Sequence, residues 1–243
     1  MGQAYRVTEA GRKAWESKDP AVPSDYRMIL WQIDFSGGEH LENWMRNFPD
    51  QKLDDCLAEL QELGLIEPLG AARAGRPGAE TPVFEVRAAE LASATASLAR
   101  DGAYLALERL VRRAPKPVAE TVVLIVEDDP DQLALADLRV SMAGYAVRAA
   151  ESQAALMKSL ACDGVPDLLL LDVRLPDGNG FEILKKLRKM PAFASLPIVM
   201  LTAKKRPADI EQGLRLGADG YITKPYSKSI LATAVGRILK HPG

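Results

Sequence analysis

LLLLDVRLPDGNG, residues 168–180, sets four consecutive leucines against an aspartate and a loop of proline, aspartate, glycine and asparagine. An uninterrupted apolar run of this length reads as a strand covered on both faces, as in parallel sheets flanked by helices. The pattern repeats along the second half of the chain. VVLIV (122–126), YAVRAA (145–150), LLLL (168–171), PIVML (197–201) and YITK (221–224) read as five strands. Helical spacing follows each: Asp131–Met142, Ser152–Leu160, Phe181–Met190, Ala208–Leu216 and Lys228–Leu239. Gly144 and Gly217 stand where helix C-caps belong. Five such β–α units predict an α/β doubly wound, five-stranded parallel sheet of the flavodoxin-like type.

In such a sheet the functional crevice lies outside the carboxyl ends of the strands. Glu127, Asp128 and Asp129 follow the first strand there, Asp172 ends the third, Thr202 follows the fourth, and Lys224 with Pro225 ends the fifth. Singly, an aspartate after a strand is a turn residue or a helix cap, and Asp129 reads as the cap of the following helix. Together, the crowded carboxylates repel one another and lose solvation. A hard divalent cation with oxygen ligands relieves this, and Mg²⁺ pairs one or two carboxylates with a phosphoryl group. A lysine nearby serves as a point charge for a phosphoryl oxygen. A carboxylate beside the metal can itself be the nucleophile of an aspartyl phosphate.

VLIVEDDP, LLLLDVRLPDGNG, VMLTA and YITKP together resemble the receiver domain of two-component response regulators. The spacings agree: 44 residues from Asp128 to Asp172, 30 from Asp172 to Thr202 and 52 from Asp172 to Lys224. The resemblance covers roughly residues 121–239. It implies that Asp172 is the phospho-acceptor. Glu127, Asp128, Asp172 and the backbone carbonyl of Arg174 are implied as Mg²⁺ ligands, Glu127 through water. Thr202 is implied as the switch hydroxyl, Tyr221 as the switch aromatic, and Lys224 as the phosphate-binding lysine before a cis bond to Pro225. The implied partner is a sensor histidine kinase or phosphotransfer protein, and the only chemistry implied is gain and loss of the phosphoryl group.

The first half is read from pattern. Ser24–Ile33, Glu39–Phe48 and Gln51–Leu63 suit helices, the last ending at Gly64. LIEPL (65–69) and TPVFEV (81–86) suit a hairpin whose tip is AARAGRPGAE. Three helices and a hairpin over residues 22–87 resemble a winged helix-turn-helix domain. YRVTEAGRKAWES (5–17) reads as a short strand and a helix beside its core, to which Trp15, Trp31 and Trp44 are assigned. The expected organisation is a mainly α, winged-helix-like domain at 1–87, a helical linker at 88–120 and the receiver at 121–243. Within the linker, 103–113 reads as helix, and Ala114–Glu120, with two prolines, as the break before the first strand.

Composition bounds the rest. The 243 residues are 47% hydrophobic and 26% charged, an ordinary globular balance. No run of eighteen apolar residues predicts a membrane span, and the N-terminus lacks the apolar stretch of a signal peptide. Cys56 and Cys162 lack metal or redox spacing and suit a reducing cytosol, so a cytoplasmic location is expected. Residues 1–117 carry 15 Lys/Arg against 18 Asp/Glu, whereas a nucleic-acid reader shows a basic face. The recognition-helix candidate opens on Asp50, Gln51, Lys52, Leu53, Asp54 and Asp55. Arg46, Lys52, Arg73 and Arg76 are the candidate nucleic-acid contacts. Two readings of this half stay open: a DNA-binding output, and a protein-binding or dimerisation module. A homodimer is expected, through the linker helices or through a receiver face carrying Lys204, Lys205, Arg206, Asp209, Glu211, Arg215 and Asp219.

Overall fold

The computed structural model describes residues 4–16, 22–36, 53–69, 102–106 and 116–240. They gather into two compact units, Met1–Glu80 with Met157–Gly164, and Thr81–Leu156 with Val165–Gly243.

In the first unit, β1 (Tyr5–Val7) leads into α1 (Glu9–Glu16), followed by α2 (Ser24–Ser36), α3 (Leu53–Glu62) and β2 (Ile66–Pro68). Gly64, with φ +67°, ends α3 in the left-handed conformation expected of a C-cap. Trp15 and Trp31 are buried, and Trp31 stacks on Phe35 with ring centroids 4.7 Å apart. Arg12 donates from Nε and Nη2 to the Asp34 carboxylate, tying α1 to α2. The strand expected at 65–69 is present, but its partner among the described residues is β1: the two run antiparallel, with Tyr5 opposite Pro68 and Val7 opposite Ile66. A pairing so distant in the chain leaves no local mark in sequence. The helix expected at 39–48, the hairpin tip, TPVFEV and Trp44 lie outside the described residues.

The second unit is built on a sheet of β3 (Ala103–Leu105), β4 (Val122–Val126), β5 (Ala146–Ala150), β6 (Leu168–Asp172), β9 (Ile198–Thr202) and β10 (Gly220–Thr223). Its order is β3-β10-β9-β6-β4-β5. A two-stranded ribbon, β7 (Arg174–Leu175) and β8 (Gly178–Asn179), follows β6. The helices along this stretch of sequence are α4 (Pro130–Met142), α5 (Gln153–Cys162, whose residues from Met157 on are counted with the first unit), α6 (Gly180–Lys189), α7 (Pro207–Arg215) and α8 (Lys228–Leu239). The five expected strands pair in parallel. All five residues of β6, including Asp172, are buried. Alternate residues of a strand face opposite sides. Val123, Ile125, Leu168, Leu170, Val199, Leu201 and Ile222 meet Leu133, Ala136 and Val140 of α4 and Ile230, Leu231, Ala234 and Ile238 of α8 in one core. Tyr221 points the other way, toward α7, where a Cβ on Gly213 would fall 2.9 Å from its ring.

The sheet departs from expectation at one edge. Residues 103–113 were expected to be helical, but Ala103–Leu105 is a strand antiparallel to β10, so the sheet has six strands and is mixed. Ala103 and Leu105 enter the core while Tyr104 is half-buried on the opposite face. A three-residue strand is too short for its two-residue period to show against the leucine-rich helical pattern that follows. The remainder of the expected linker helix, 107–113, lies outside the described residues.

Candidate phospho-acceptor site

The buried ends of three strands converge on one ammonium group. Lys224 follows β10 and is 8% exposed. Its Nζ donates to Asp172 Oδ2 at 2.6 Å and to Glu127 Oε2. Burial alone lowers a lysine pKa, but the bonds to Asp172 and Glu127 outweigh it and hold Lys224 above its ordinary value. Glu127 is 1% exposed. Burial pushes its pKa up, and the neighbouring Asp172 adds to the rise against the opposing pull of Lys224. The Lys224–Pro225 bond is cis.

Asp128 stands beside this pair but is open to solvent. One carboxylate oxygen from each of Glu127, Asp128 and Asp172 lies within 4.8 Å of the others. The donor set is all oxygen, and two of its three acids are buried, which suits a hard cation such as Mg²⁺. Asp129 is set apart from this trio by its cap. Its Oδ1 accepts from the amides of Asp131 and Gln132, and these bonds lower its pKa. The three acids open onto a cleft of about 540 Å³, also bounded by Arg174, Ala203, Lys224 and Tyr226. The Arg174 amide donates to Asp172 Oδ1 at 3.2 Å.

Thr202 and Tyr221 are linked through Lys204. The Lys204 amide donates to Thr202 Oγ1 at 3.1 Å, and the Tyr221 hydroxyl donates to the Lys204 carbonyl at 3.1 Å. Tyr221 is fully buried, and burial, reinforced by Asp209, raises its pKa. The structure thus brings Asp172, Lys224, Glu127, Asp128, Arg174 and Thr202 to one end of the sheet, with Tyr221 one hydrogen bond beyond Lys204. Arg46, Lys52, Arg73 and Arg76 lie outside the described residues.

Several parts of the site had no local signal in sequence. Asp177, in the loop after Asp172, accepts from the amides of Gln153 and Ala154 and so caps α5 from a distance of 23–24 residues. The Gly180 amide donates to Val173 O, and a Cβ there would fall 2.2 Å from the Asp172 carbonyl oxygen. Gly180→Ala is expected to force α6 away from the backbone that carries Asp172 and to lower stability by about 1–3 kcal/mol, measured by urea unfolding. Arg139 of α4 forms part of the cleft wall. It donates to the Tyr226 carbonyl at 3.2 Å and lies 5.1 Å over the Tyr226 ring.

The mixed charges expected on an exposed receiver face are largely spent within the chain. Asp209 is 5% exposed and held by Arg206, and Asp219 is 8% exposed and held by Arg188. Glu211 pairs with Arg215 on the same helix. Both aspartates are buried in ion pairs within the chain. No helix among the described residues is long and apolar enough to cross a membrane.

Residues 123–236 match the family described as response regulator receiver domain. The chain is 37% identical over 118 residues to the transcriptional regulatory protein GltR of Pseudomonas aeruginosa, covering 49% of this chain and 48% of that protein. It is 36% identical over 121 residues to the phosphate regulon transcriptional regulatory protein PhoB of the same organism, covering 50% and 52%. Among solved structures, a putative response regulator from Chloroflexus aurantiacus is 34% identical, with a TM-score of 0.48, covering 52% of this chain and all of that one. The chain spans about half the length of the curated relatives it matches. The C-terminal half of the chain, residues 123–236, is a response regulator receiver domain.

Proposed function

We propose that the chain is a response regulator that accepts a phosphoryl group on Asp172 from a sensor histidine kinase or phosphotransfer protein and thereby switches its N-terminal half. The observation that carries this reading is the Lys224 ammonium held between Asp172 and Glu127 beside the open carboxylate of Asp128. Asp172 Oδ attacks phosphorus, the bond to the donor breaks with its electron pair leaving on the donor, and an acyl phosphate remains. Mg²⁺, when held by Glu127, Asp128, Asp172 and the Arg174 carbonyl, supplies neutralising charge for the phosphoryl oxygens. Lys224, already aimed at Asp172, takes one phosphoryl oxygen, and the Thr202 hydroxyl turns to donate to another. Attack of water on phosphorus returns Asp172 and inorganic phosphate. The test is incubation with a small phosphodonor and Mg²⁺, followed by peptide mass spectrometry. One phosphoryl group on Asp172 is expected, and a label lodged elsewhere overturns the assignment.

The metal makes two further predictions. Asp128→Ala leaves the buried pair intact but removes the solvent-side ligand. Mg²⁺ affinity by calorimetry is expected to fall at least about tenfold, the loss that outer-shell partners alone already cause. Affinity also falls with pH, because a protonated Glu127 no longer supports the cation. Burial raises the Glu127 pKa above its ordinary 4.5, so the fall begins at higher pH than for a solvated glutamate. Lys224 stays charged throughout, since its pKa is raised from 10.5.

For the output, the reading is a winged-helix-like domain at 1–87 acting in transcription regulation, joined by 88–120 to the receiver at 121–243. A second reading, a protein-binding or dimerisation module, is favoured by one observation: α3 opens on Asp54 and Asp55, both exposed. Carboxylates there oppose the counterion release that drives DNA binding. A mobility-shift titration against duplex DNA at low and moderate salt separates the two. Binding that weakens steeply with salt supports transcription regulation, and none at low salt supports the module. A homodimer remains part of the proposal, and light scattering with and without beryllofluoride reads it.

A further inference from the structure

The short segment between β10 and α8, Lys224 to Ser227, carries the buried ammonium of the site and has few anchors of its own. The Lys224 amide donates to Thr202 O at 2.8 Å. Pro225 is exposed and has no amide to donate. Ser227, the N-cap of α8, makes no side-chain cap bond. The hold on this segment comes from α4. Arg139, in its last turn, donates from Nη1 to Tyr226 O at 3.2 Å, and its guanidinium lies 5.1 Å over the centre of the Tyr226 ring. The Arg139 Nε is enclosed with no hydrogen-bond partner, so the Tyr226 carbonyl is the one acceptor this guanidinium has among the described residues. Tyr226 is half-buried and packs against the core shared by α4 and α8. Burial raises its pKa against the pull of Lys224 and Arg139, which keeps the ring neutral beside both cations.

We propose that Arg139 is a positioning residue for phosphoryl transfer, clamping the carbonyl and the ring of Tyr226 so that Lys224 is held at Asp172. The proposal rests on Asp172 being the phospho-acceptor. Arg139, Tyr226, Lys224 and Asp172 bound one cleft. Lys224 places its ammonium on Asp172 and Glu127 from the end of a flexible four-carbon stem, a side chain that is costly in rotamer entropy to hold still. The backbone of Lys224 decides where that ammonium reaches. On the sheet side it is fixed by the bond to Thr202 O. On the other side only Pro225 separates it from Tyr226, so a shift of Tyr226 passes to Lys224 with little slack. Arg139 has a firm mount, because Ala136 and Val140 on the same helix are buried in the core. A planar guanidinium can donate to a carbonyl and lie over an aromatic face at once, and both contacts are made here. Arg139 itself acts through Lys224 and adds no step to the transfer.

Labelling of the full chain by acetyl phosphate in Mg²⁺, followed against donor concentration, tests this. In Arg139→Met, which keeps the apolar stem, the rate at saturating donor is expected to fall about tenfold, within the loss that misplacing a group by about 1 Å can cause. The KM for acetyl phosphate and the Mg²⁺ affinity are expected to be unchanged, the pattern of an interaction that serves the transition state and not binding. Arg139→Lys keeps the charge and a donor for the Tyr226 carbonyl, and is expected to recover most of the rate. In a Lys224→Met background, Arg139→Met is expected to have no further effect, since residues acting as a unit lose their contribution once. Tyr226→Leu keeps the carbonyl and removes the ring. It is expected to label at a rate between the natural chain and Arg139→Met, and it carries the test if Arg139→Met lacks the circular dichroism of the natural chain. An unchanged rate in the folded variants overturns the clamp and leaves the phospho-acceptor standing. A raised KM at unchanged maximal rate places Arg139 on the donor and also overturns it, as does an equal fold-loss with and without Lys224. No label on the natural chain removes the phospho-acceptor reading itself, and the clamp with it.

Discussion

Asp172→Asn reduces covalent labelling by a small phosphodonor to background. The substitution removes one oxygen nucleophile and changes little else. The side chain keeps its size in a site where Asp172 is 6% exposed, and the retained amide oxygen can still accept from the Arg174 amide, as Oδ1 does in the native chain. The rigid mount, a strand of four leucines buried on both faces, is untouched. What disappears is the anionic oxygen next to Lys224 and one of the three converging carboxylates. Covalent catalysis by a carboxylate needs that oxygen, so the loss is of reaction and not of fold. Unchanged circular dichroism with no label is the expected pair of results. Asp128→Ala makes the contrasting case, since it weakens the metal site and leaves the nucleophile, so labelling slows but persists at high Mg²⁺. Persistent labelling of Asp172→Asn would sink the assignment of the acceptor.

The strands and the site were legible in sequence for one physical reason. A parallel sheet covered on both faces needs unbroken apolar strands, and VVLIV, LLLL and PIVML leave no other reading. A carboxylate or lysine at the end of such a run is conspicuous because burial penalises it, and Asp172, Glu127 and Lys224 are all buried. Tyr221 is legible only through the resemblance, since a tyrosine in YITK is an ordinary strand residue. Features made by pairs distant in sequence could not be read. The docking of Ala103–Leu105 on β10 depends on residues more than a hundred positions away. The capping of α5 by Asp177 and the burial of Asp219 behind Arg188 depend on loops whose course no local period encodes. In the first half, short helices and three-residue strands carry weaker periodicity, and β1 with β2 shows a pairing that only the fold brings together.

Arg188→Ala is expected to cost about 3–5 kcal/mol of unfolding free energy, the range for breaking a buried ion pair by removing one partner. Arg188 projects from α6 and is 9% exposed in its side chain, with Asp219 at 11%. Its guanidinium donates to the carbonyls of Gly217, Phe193 and Leu196 and to Asp219 Oδ2 at 2.7 Å. Asp219 Oδ2 also accepts from the Ile198 amide at 2.8 Å, and the Asp219 backbone bonds Ile198 O and the Ala106 amide. One ion pair therefore fixes the starts of β9 and β10 and the end of β3. Alanine takes the guanidinium away from the buried Asp219 carboxylate, which still accepts from the Ile198 amide, and from three carbonyls, of which Phe193 O still accepts from the Leu196 amide. The cost is the unpaired charge more than the lost attraction, and this has a measurable consequence. In Arg188→Met with Asp219→Asn the charge is gone from both sides, and the carboxamide oxygen that replaces the carboxylate can still accept from the Ile198 amide. The double variant is expected to be more stable than Arg188→Met alone, a non-additivity of the kind seen for residues in contact. Urea unfolding of the two single variants and the double variant reads it directly. Because the pair sits at the opposite ends of β9 and β10 from Thr202 and Lys224, the label taken up per folded chain is expected to be unchanged. Additive losses in the double variant would show that Arg188 acts through its carbonyl bonds and packing, with no penalty from Asp219.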